Sequence, residues 1–297
     1  MFYFTEKKHF SSKALKTYKK ISPTIQIKKD NVKVLVVRLG YKINKDFLKK
    51  FKKLKFIISN TTGLDHIDKK FCQNKNIKIL SLNNVKSKIK NIYSTADLTI
   101  GLLISLVRKI NLSNKYVTKN KKFERYKFIS HDLRNLTLGI IGYGRLGKRI
   151  EKYTKSFGMN TLKYDTKNKN INIKKFIRKS DIIVITASSY DGREILTKEH
   201  LKFLKKNSYI VNTSRFFSVD ENEIVKKLKS GLLSGYATDS IEGEYDKNLY
   251  RKNKFIKLSN KYNIIITPHL GGFTYESLNK TEEIMANFFY KNFKNKV

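Results

Sequence analysis

Short apolar runs alternate with amphipathic, lysine-rich stretches along almost the whole of this 297-residue chain. Runs of aliphatic and β-branched residues bounded by turn residues read as buried strands, and their alternation with helical periods predicts an α/β protein. In the first part the pattern predicts strands at "VKVLVVRL" (32–39), "KFIISNTT" (55–62) and "IKILSLN" (77–83). Between the first two, "NKDFLKKFKKL" places Phe47, Leu48, Phe51 and Leu54 on one helical face. A long helix over about 94–110 is apolar on most sides, as expected for a helix packed between two domains. A second series opens at "NLTLGIIGYGRLG" (135–147), with further strands at 160–165, 181–188, 208–214, 232–239 and 263–269 and a closing helix over 274–294. No internal repeat, Pro/Gly/Ser linker or low-complexity tail marks a boundary, so the division into domains rests on the long helix.

Composition narrows the class. The length suits two domains of ordinary size, and 40% hydrophobic with 12% aromatic residues is enough to give each a core. The longest apolar stretch, "LTIGLLISLV" (98–107), is about half a membrane span, and "MFYFTEKKHFSSK" lacks the apolar run of a signal peptide. Cys72 is the only cysteine, which excludes an intrachain disulfide, fits a cytoplasmic location and reads as a core residue.

The formal charge of +40 would ordinarily point to nucleic acid or an anionic membrane. The chain has 54 Lys against 10 Arg, with 27 Asn, 5 Ala, 2 Pro and no Trp. Residues with A/T-rich codons are abundant throughout, and the basic residues are spread over every segment. The expectation is therefore a general coding bias, with no dedicated nucleic-acid or membrane partner, and a surface that draws in anionic substrates and cofactors.

Three stretches carry candidate chemistry. Gly142, Gly144 and Gly147 have the G-x-G-x-x-G spacing after an apolar strand and at the start of a helix with Leu146, Ile150 and Tyr153 on one side. Such a turn lets a pyrophosphate approach backbone N–H groups at a positive helix end. Asp165 closes the next strand, where a carboxylate accepts from an adenine ribose, which favours NAD; nearby Lys163, Lys167 and Lys169 leave room for NADP. "NTSR" (212–215) ends another strand, and Arg215 could clamp a carboxylate bidentately; Ser218 and Glu221 are expected to form a capping box for the following helix, stopped at Gly231. "GYATDSIEGEYD" (235–246) gathers Asp239, Glu242 and Glu244, and "TPHLGGFT" (267–274) presents His269 after a strand. A carboxylate set against that imidazole would fix its tautomer for acid–base work. Nothing points to a metal.

Taken in order, "SNTTGLDHID" (59–68), "STADLTIGLLISLVR" (94–108), the glycine motif, "NTSRFFSVDE", "ATDSIEGE" and "TPHLGGFT" make nearly the whole chain resemble the D-isomer-specific 2-hydroxyacid dehydrogenases. The resemblance implies a Rossmann nucleotide-binding domain over 95–274. A flavodoxin-like substrate domain would be made of 1–94 and 275–297, with the chain crossing between the two twice. It implies Arg215, Glu244 and His269 as catalytic residues. Gly142, Gly144, Arg145, Leu146, Gly147, Asp165, Thr213 and Asp239 would contact NAD, Asp239 at the nicotinamide carboxamide. Thr62, Gly63 and Leu64 would offer backbone N–H groups to a substrate carboxylate, and a homodimer is implied.

The implied reaction is reversible hydride transfer between nicotinamide and C2 of a small anionic 2-hydroxy or 2-oxo acid, with closure about 94–98 and 271–276. Arg38 is a further candidate for a substrate phosphate or second carboxylate, against a surface role. The chain departs from the family at Phe216, where glycine is usual, at Tyr245, where proline is common, and in the loop "SYDGRE" (189–194). Two alternatives stand beside this reading: a phosphoglycerate dehydrogenase-type enzyme of serine biosynthesis, and a non-enzymatic, NAD-responsive corepressor-like protein.

Overall fold

A strand covered on both faces must be apolar at every position, and the two central strands of the first unit are buried throughout. In the computed structural model, which describes residues 1–165, 172–187 and 192–297, this unit comprises residues 1–92 and 272–297, and residues 93–271 form the second. Its elements are β1 (Phe2–Phe4), α1 (Ser12–Lys19), β2 (Val34–Val37), α2 (Lys45–Leu48), β3 (Phe56–Ser59), α3 (Lys69–Asn74) and β4 (Lys78–Ser81). The strands pair in parallel in the order β1-β2-β3-β4. Alternate residues supply two cores. Val34, Val36, Phe56 and Ile58 pack with Phe2, Phe4 and Tyr18 and with Met285 and Phe289 of the C-terminal helix, whereas Leu35, Val37 and Ile57 pack with Leu48, Phe51 and buried Cys72.

The second unit runs α4 (Ser94–Val107), α5 (Ile110–Asn120), β5 (Thr137–Ile141), α6 (Arg145–Ser156), β6 (Asn160–Tyr164), α7 (Ile173–Lys179) and β7 (Ile182–Ile185). It continues through α8 (Lys198–Leu201), β8 (Ser208–Asn212), α9 (Glu221–Lys229), β9 (Leu233–Thr238), α10 (Lys247–Tyr250), α11 (Lys254–Leu258) and β10 (Ile264–Ile266), and α12 (Tyr275–Phe293) returns to the first unit. Its six parallel strands lie in the order β10-β9-β8-β7-β5-β6. The winding reverses beside β5, and open α/β sheets bind ligands at the carboxyl ends of strands at such a point. Leu138, Ile140, Ile182 and Val184 pack against Leu102, Leu103 and Leu106 of α4, while Ile183, Ile185 and Ile210 face Phe176, Leu201 and Ile224. Each fully buried aliphatic side chain contributes about 1.5–3 kcal/mol, so α4 is anchored along most of its length.

Three local expectations change. The helix expected over 94–110 ends at Val107, and Lys109, in left-handed conformation, separates it from α5. The capping box expected at Ser218 and Glu221 does not form: Asp220 caps α9 by accepting from the Glu223 N–H, and Ser218 closes a short 3₁₀ turn. The N-terminal residues 2–4 form an unexpected strand, which Phe2 and Phe4 fix by burial in the core.

Candidate active site

The glycine turn sits at the end of β5. Gly142 has φ of +93°, and an added Cβ would lie 2.4 Å from the Ala187 nitrogen; at Gly147 one would lie 2.5 Å from the Gly142 carbonyl. Those two glycines are required by the chain itself. Around Gly144, the N-cap of α6, an added Cβ would meet nothing within 4 Å, so open space faces the first turn of the helix, where Arg145 and Leu146 begin it. That is the cradle a pyrophosphate needs, and the residues fit a dinucleotide. Asp165 follows β6 directly and is half-buried. Lys167, Lys169 and residues 189–191 of the "SYDGRE" loop lie outside the described residues.

The ends of β9 and β10 bring the histidine and two carboxylates together. Nδ1 of His269 lies 3.1 and 3.2 Å from the two Glu244 oxygens, with the side chains 18% and 15% exposed. With its proton on Nδ1 the ring donates to Glu244, an arrangement that leaves Nε2 available for proton exchange. The His269 backbone is left-handed at φ of 56°, a conformation a non-glycine residue holds only when its surroundings impose it. Asp239 imposes it here. Its carbonyl accepts from His269 N at 3.0 Å, and its carboxylate accepts from the Thr267 hydroxyl at 2.6 Å, Leu270 N at 2.7 Å and Gly271 N at 2.8 Å. Burial raises the Asp239 carboxyl above its usual range, and these donors with the charge of His269 offset only part of the rise. Three donors leave acceptor capacity for one more, so the arrangement admits the carboxamide contact expected of Asp239.

Arg215 follows β8 in a turn folded by Asn212, a fully buried residue that the sequence reading passed over. Asn212 Nδ2 donates to the Arg215 carbonyl at 2.8 Å, and its Oδ1 accepts from Ser214 N at 3.0 Å. Arg215 itself is half-buried, with Nη1 3.1 Å from the Ser214 carbonyl, and Phe216 and Phe217 beside it meet edge to face at 5.2 Å. The Thr213 hydroxyl lies 2.9 Å from that of Thr99, which donates to the Thr95 carbonyl at 2.6 Å. Thr95 in turn donates to the Gly271 carbonyl at 2.7 Å. The arginine turn and the histidine loop are thus joined through α4, by two threonines that read in sequence only as part of an apolar helix.

In the first unit, the carbonyls of Thr61, Thr62, Gly63 and Leu64 accept from Leu82 N, Asn83 Nδ2, the Thr61 hydroxyl and Ile67 N. Among the described residues the N–H groups of Thr62, Gly63 and Leu64 donate to nothing, which suits an anion-binding loop. Arg38 is a correction. It is 6% exposed, its Nε lies 2.7 Å from Glu282 Oε1, Nη2 contacts the same oxygen, and Nη1 and Nη2 donate to the carbonyls of Lys8 and His9, both at 3.1 Å. It is a buried structural ion pair, neither a surface residue nor an anion site. Among the described residues, no three His, Cys, Asp or Glu side chains are placed to hold a metal, and no helix is long and apolar enough to cross a membrane.

Residues 100–271 match the family profile described as D-isomer specific 2-hydroxyacid dehydrogenase, NAD binding domain. An aromatic 2-oxoacid reductase of Clostridium sporogenes is 32% identical over 263 residues, 81% of this chain and 77% of that protein. A D-3-phosphoglycerate dehydrogenase of Methanocaldococcus jannaschii is 31% identical over 265 residues, 85% of this chain but 48% of that protein, so the chain spans about half its length. Among solved structures, D-lactate dehydrogenase from Aquifex aeolicus, complexed with NAD and lactic acid, superposes with a TM-score of 0.78 at 24% identity, covering 97% of this chain and 94% of that one. At that identity the likeness speaks for the fold alone. The expected α/β class and NAD as cofactor are borne out.

Proposed function

This chain belongs to the D-isomer-specific 2-hydroxyacid dehydrogenase family of NAD-dependent oxidoreductases, and on that premise we propose that His269 is the acid–base residue interconverting a small D-2-hydroxy acid and its 2-oxo acid. The observation that carries this reading is the Glu244–His269 pair, held on a left-handed backbone by Asp239 in the same unit as the glycine turn. When bound, the nicotinamide cofactor would supply the hydride chemistry, its oxidised form as the acceptor for the hydroxy acid and its reduced form as the donor for the 2-oxo acid. Gly142, Gly144, Arg145, Leu146 and Gly147 would hold the pyrophosphate and Asp165 the ribose.

In oxidation His269 Nε2 takes the hydroxyl proton, and in reduction it returns a proton to the carbonyl oxygen. Glu244 keeps Nδ1 protonated and the ring oriented, and stabilises the imidazolium that forms. Arg215 clamps the substrate carboxylate and stabilises charge developing on the reacting oxygen. Thr62, Gly63 and Leu64 remain the candidate carboxylate loop of the first unit. With Arg38 engaged by Glu282, the substrate favoured is one without a phosphate, ahead of the phosphoglycerate dehydrogenase-type alternative. The assembled pair likewise favours an enzyme over a non-catalytic corepressor-like protein.

The test is NADH oxidation with a panel of 2-oxo acids, and NAD reduction with each enantiomer of the matching hydroxy acids. His269→Asn is expected to lower kcat by about 10²- to 10⁴-fold while NADH still binds. Turnover retained by the variant, or preference for the L enantiomer, would sink the assignment. The single, buried Cys72 supports a cytoplasmic location. A homodimer through the second unit is favoured by Phe123, Tyr126 and Ile129, which are 93%, 75% and 71% exposed within one short stretch. Light scattering should give a dimer for the wild type and a monomer for Phe123→Asp/Tyr126→Asp; a monomeric wild type refutes it.

A further inference from the structure

The turn, helix and strand that build the dinucleotide site also meet in a charged cluster that the reaction does not use. Glu151, on the second turn of α6 and 8% exposed, receives three donors. The Tyr143 hydroxyl, from the residue between Gly142 and Gly144, donates to its Oε2. Lys163 Nζ of β6 lies 2.9 Å from Oε1, and Lys155 Nζ lies 3.4 Å from it. Lys163 Nζ is also 4.5 Å from the centre of the Tyr143 ring, so the ammonium is held by a carboxylate and an aromatic face together.

Lys163 stands in β6 two residues before Asp165, which follows the strand directly. At about 3.3 Å rise per residue, its Cα lies roughly 6.6 Å below that of Asp165. That is within reach of an extended lysine side chain, so an unrestrained ammonium there could meet a group at the ribose end of β6. The 2′-phosphate that distinguishes NADP from NAD is such a group, a dianion for which a lysine is a natural point-charge partner.

We propose that Glu151 determines the selectivity of this chain for NAD over NADP, by holding Lys163 against α6 and Tyr143 and away from the ribose end of β6. Asp165 then remains the charge that meets the ribose there, and it repels the extra phosphate. Lys163 and Glu151 also show mutual stabilisation. The Lys163 ammonium is held above its usual range by Tyr143 and Glu151, and the Glu151 carboxyl lies below its usual range although burial pushes it up, because the donors from Tyr143, Lys163 and Lys155 outweigh burial. The inference rests on the dinucleotide site described above.

The experiment is equilibrium binding of NADH and NADPH, read by cofactor fluorescence, for wild type, Glu151→Gln, Glu151→Ala, Lys163→Met and Glu151→Gln/Lys163→Met. Glu151→Gln should lower the ratio of the NADPH Kd to the NADH Kd by about five- to ten-fold, the size of one new charge-assisted contact. Adding Lys163→Met should restore the wild-type ratio. Lys163→Met alone should leave the ratio within about two-fold of wild type, since Lys163 is already withdrawn. An unchanged ratio in Glu151→Gln and Glu151→Ala, or a gain that persists in the double variant, overturns the proposal. Should neither Glu151 variant fold, a more than five-fold loss of NADPH binding in Lys163→Met overturns it, because Lys163 would then reach the phosphate in the wild type. Failure of wild type to bind either cofactor would instead overturn the dinucleotide site itself.

Discussion

Glu221 is a buried carboxyl whose protonation should make stability depend on pH. It opens α9 at 8% exposure, and among the described residues neither of its oxygens has a hydrogen-bond partner. Burial pushes its carboxyl from 4.5 up to about 7; Lys254, the Glu242 backbone and Asn253 lie near enough to offset part of that rise, and the Glu242 charge adds to it. A raised folded-state value means that the native state holds the proton more tightly than the unfolded chain. The stability this confers is complete below pH 4.5 and is lost as pH rises through about 7. Between pH 5 and pH 8 the linkage amounts to about 2–3 kcal/mol. Glu221→Gln, which cannot ionise, should lose none of it. Denaturant unfolding at the two pH values should show the variant gaining about 2–3 kcal/mol on the wild type at pH 8 relative to pH 5. A stability difference that is the same at both pH values, or that moves the other way, would refute the reasoning.

Two other perturbations follow from the packing. Arg38→Met should cost about 3–5 kcal/mol because it leaves Glu282, a fully buried carboxylate, without its ion partner, and Arg38→Met/Glu282→Met should recover much of the loss. A loss below about 1 kcal/mol in denaturant unfolding would show the pair to be dispensable. Gly142→Ala should fail to fold normally, since its Cβ would meet the Ala187 backbone at 2.4 and 2.5 Å on a residue with φ of +93°. Gly144→Ala, in open space, should keep its melting temperature but weaken NADH binding by at least about ten-fold, as a methyl would occupy the approach of the pyrophosphate. Unweakened binding would place the cofactor elsewhere.

The central strands were legible because each is a short apolar run between turn residues, and that pattern is local. The glycine turn was legible for the same reason: spacing, strand and helix all fall within one stretch of chain. The partner of Arg38 was not, because Glu282 lies 244 residues away and nothing near "VVRL" encodes it. The cap of α9 was misplaced by two residues because Ser218, Asp220 and Glu221 offer competing local signals, and the short turn at Phe216–Ser218 decides between them. Asn212, Thr95 and Thr99 were missed because polar residues at a strand end or in an apolar helix look incidental. Their hydrogen bonds tie together the arginine turn and the histidine loop only once the sheet has formed.

The divided first unit bears on how the protein is made. Its sheet is complete by Ser81, but Met285 and Phe289, which cover one face, belong to α12 near the end of the chain. A ribosome therefore releases β1–β4 with that face only partly covered, by Ala14 and Tyr18 of α1 and by Leu82, Val85 and Ile89, and must synthesise the whole contiguous second unit before the cover is complete. The bond from Thr95 to the Gly271 carbonyl, 2.7 Å long, shows that the second unit holds its own two ends side by side. Once folded, it behaves as an insertion that replaces a long flexible loop by a short bridge, reducing the entropy lost when α12 closes on the sheet. Folding order follows: the inserted unit matures first, and the unit begun earliest is finished last.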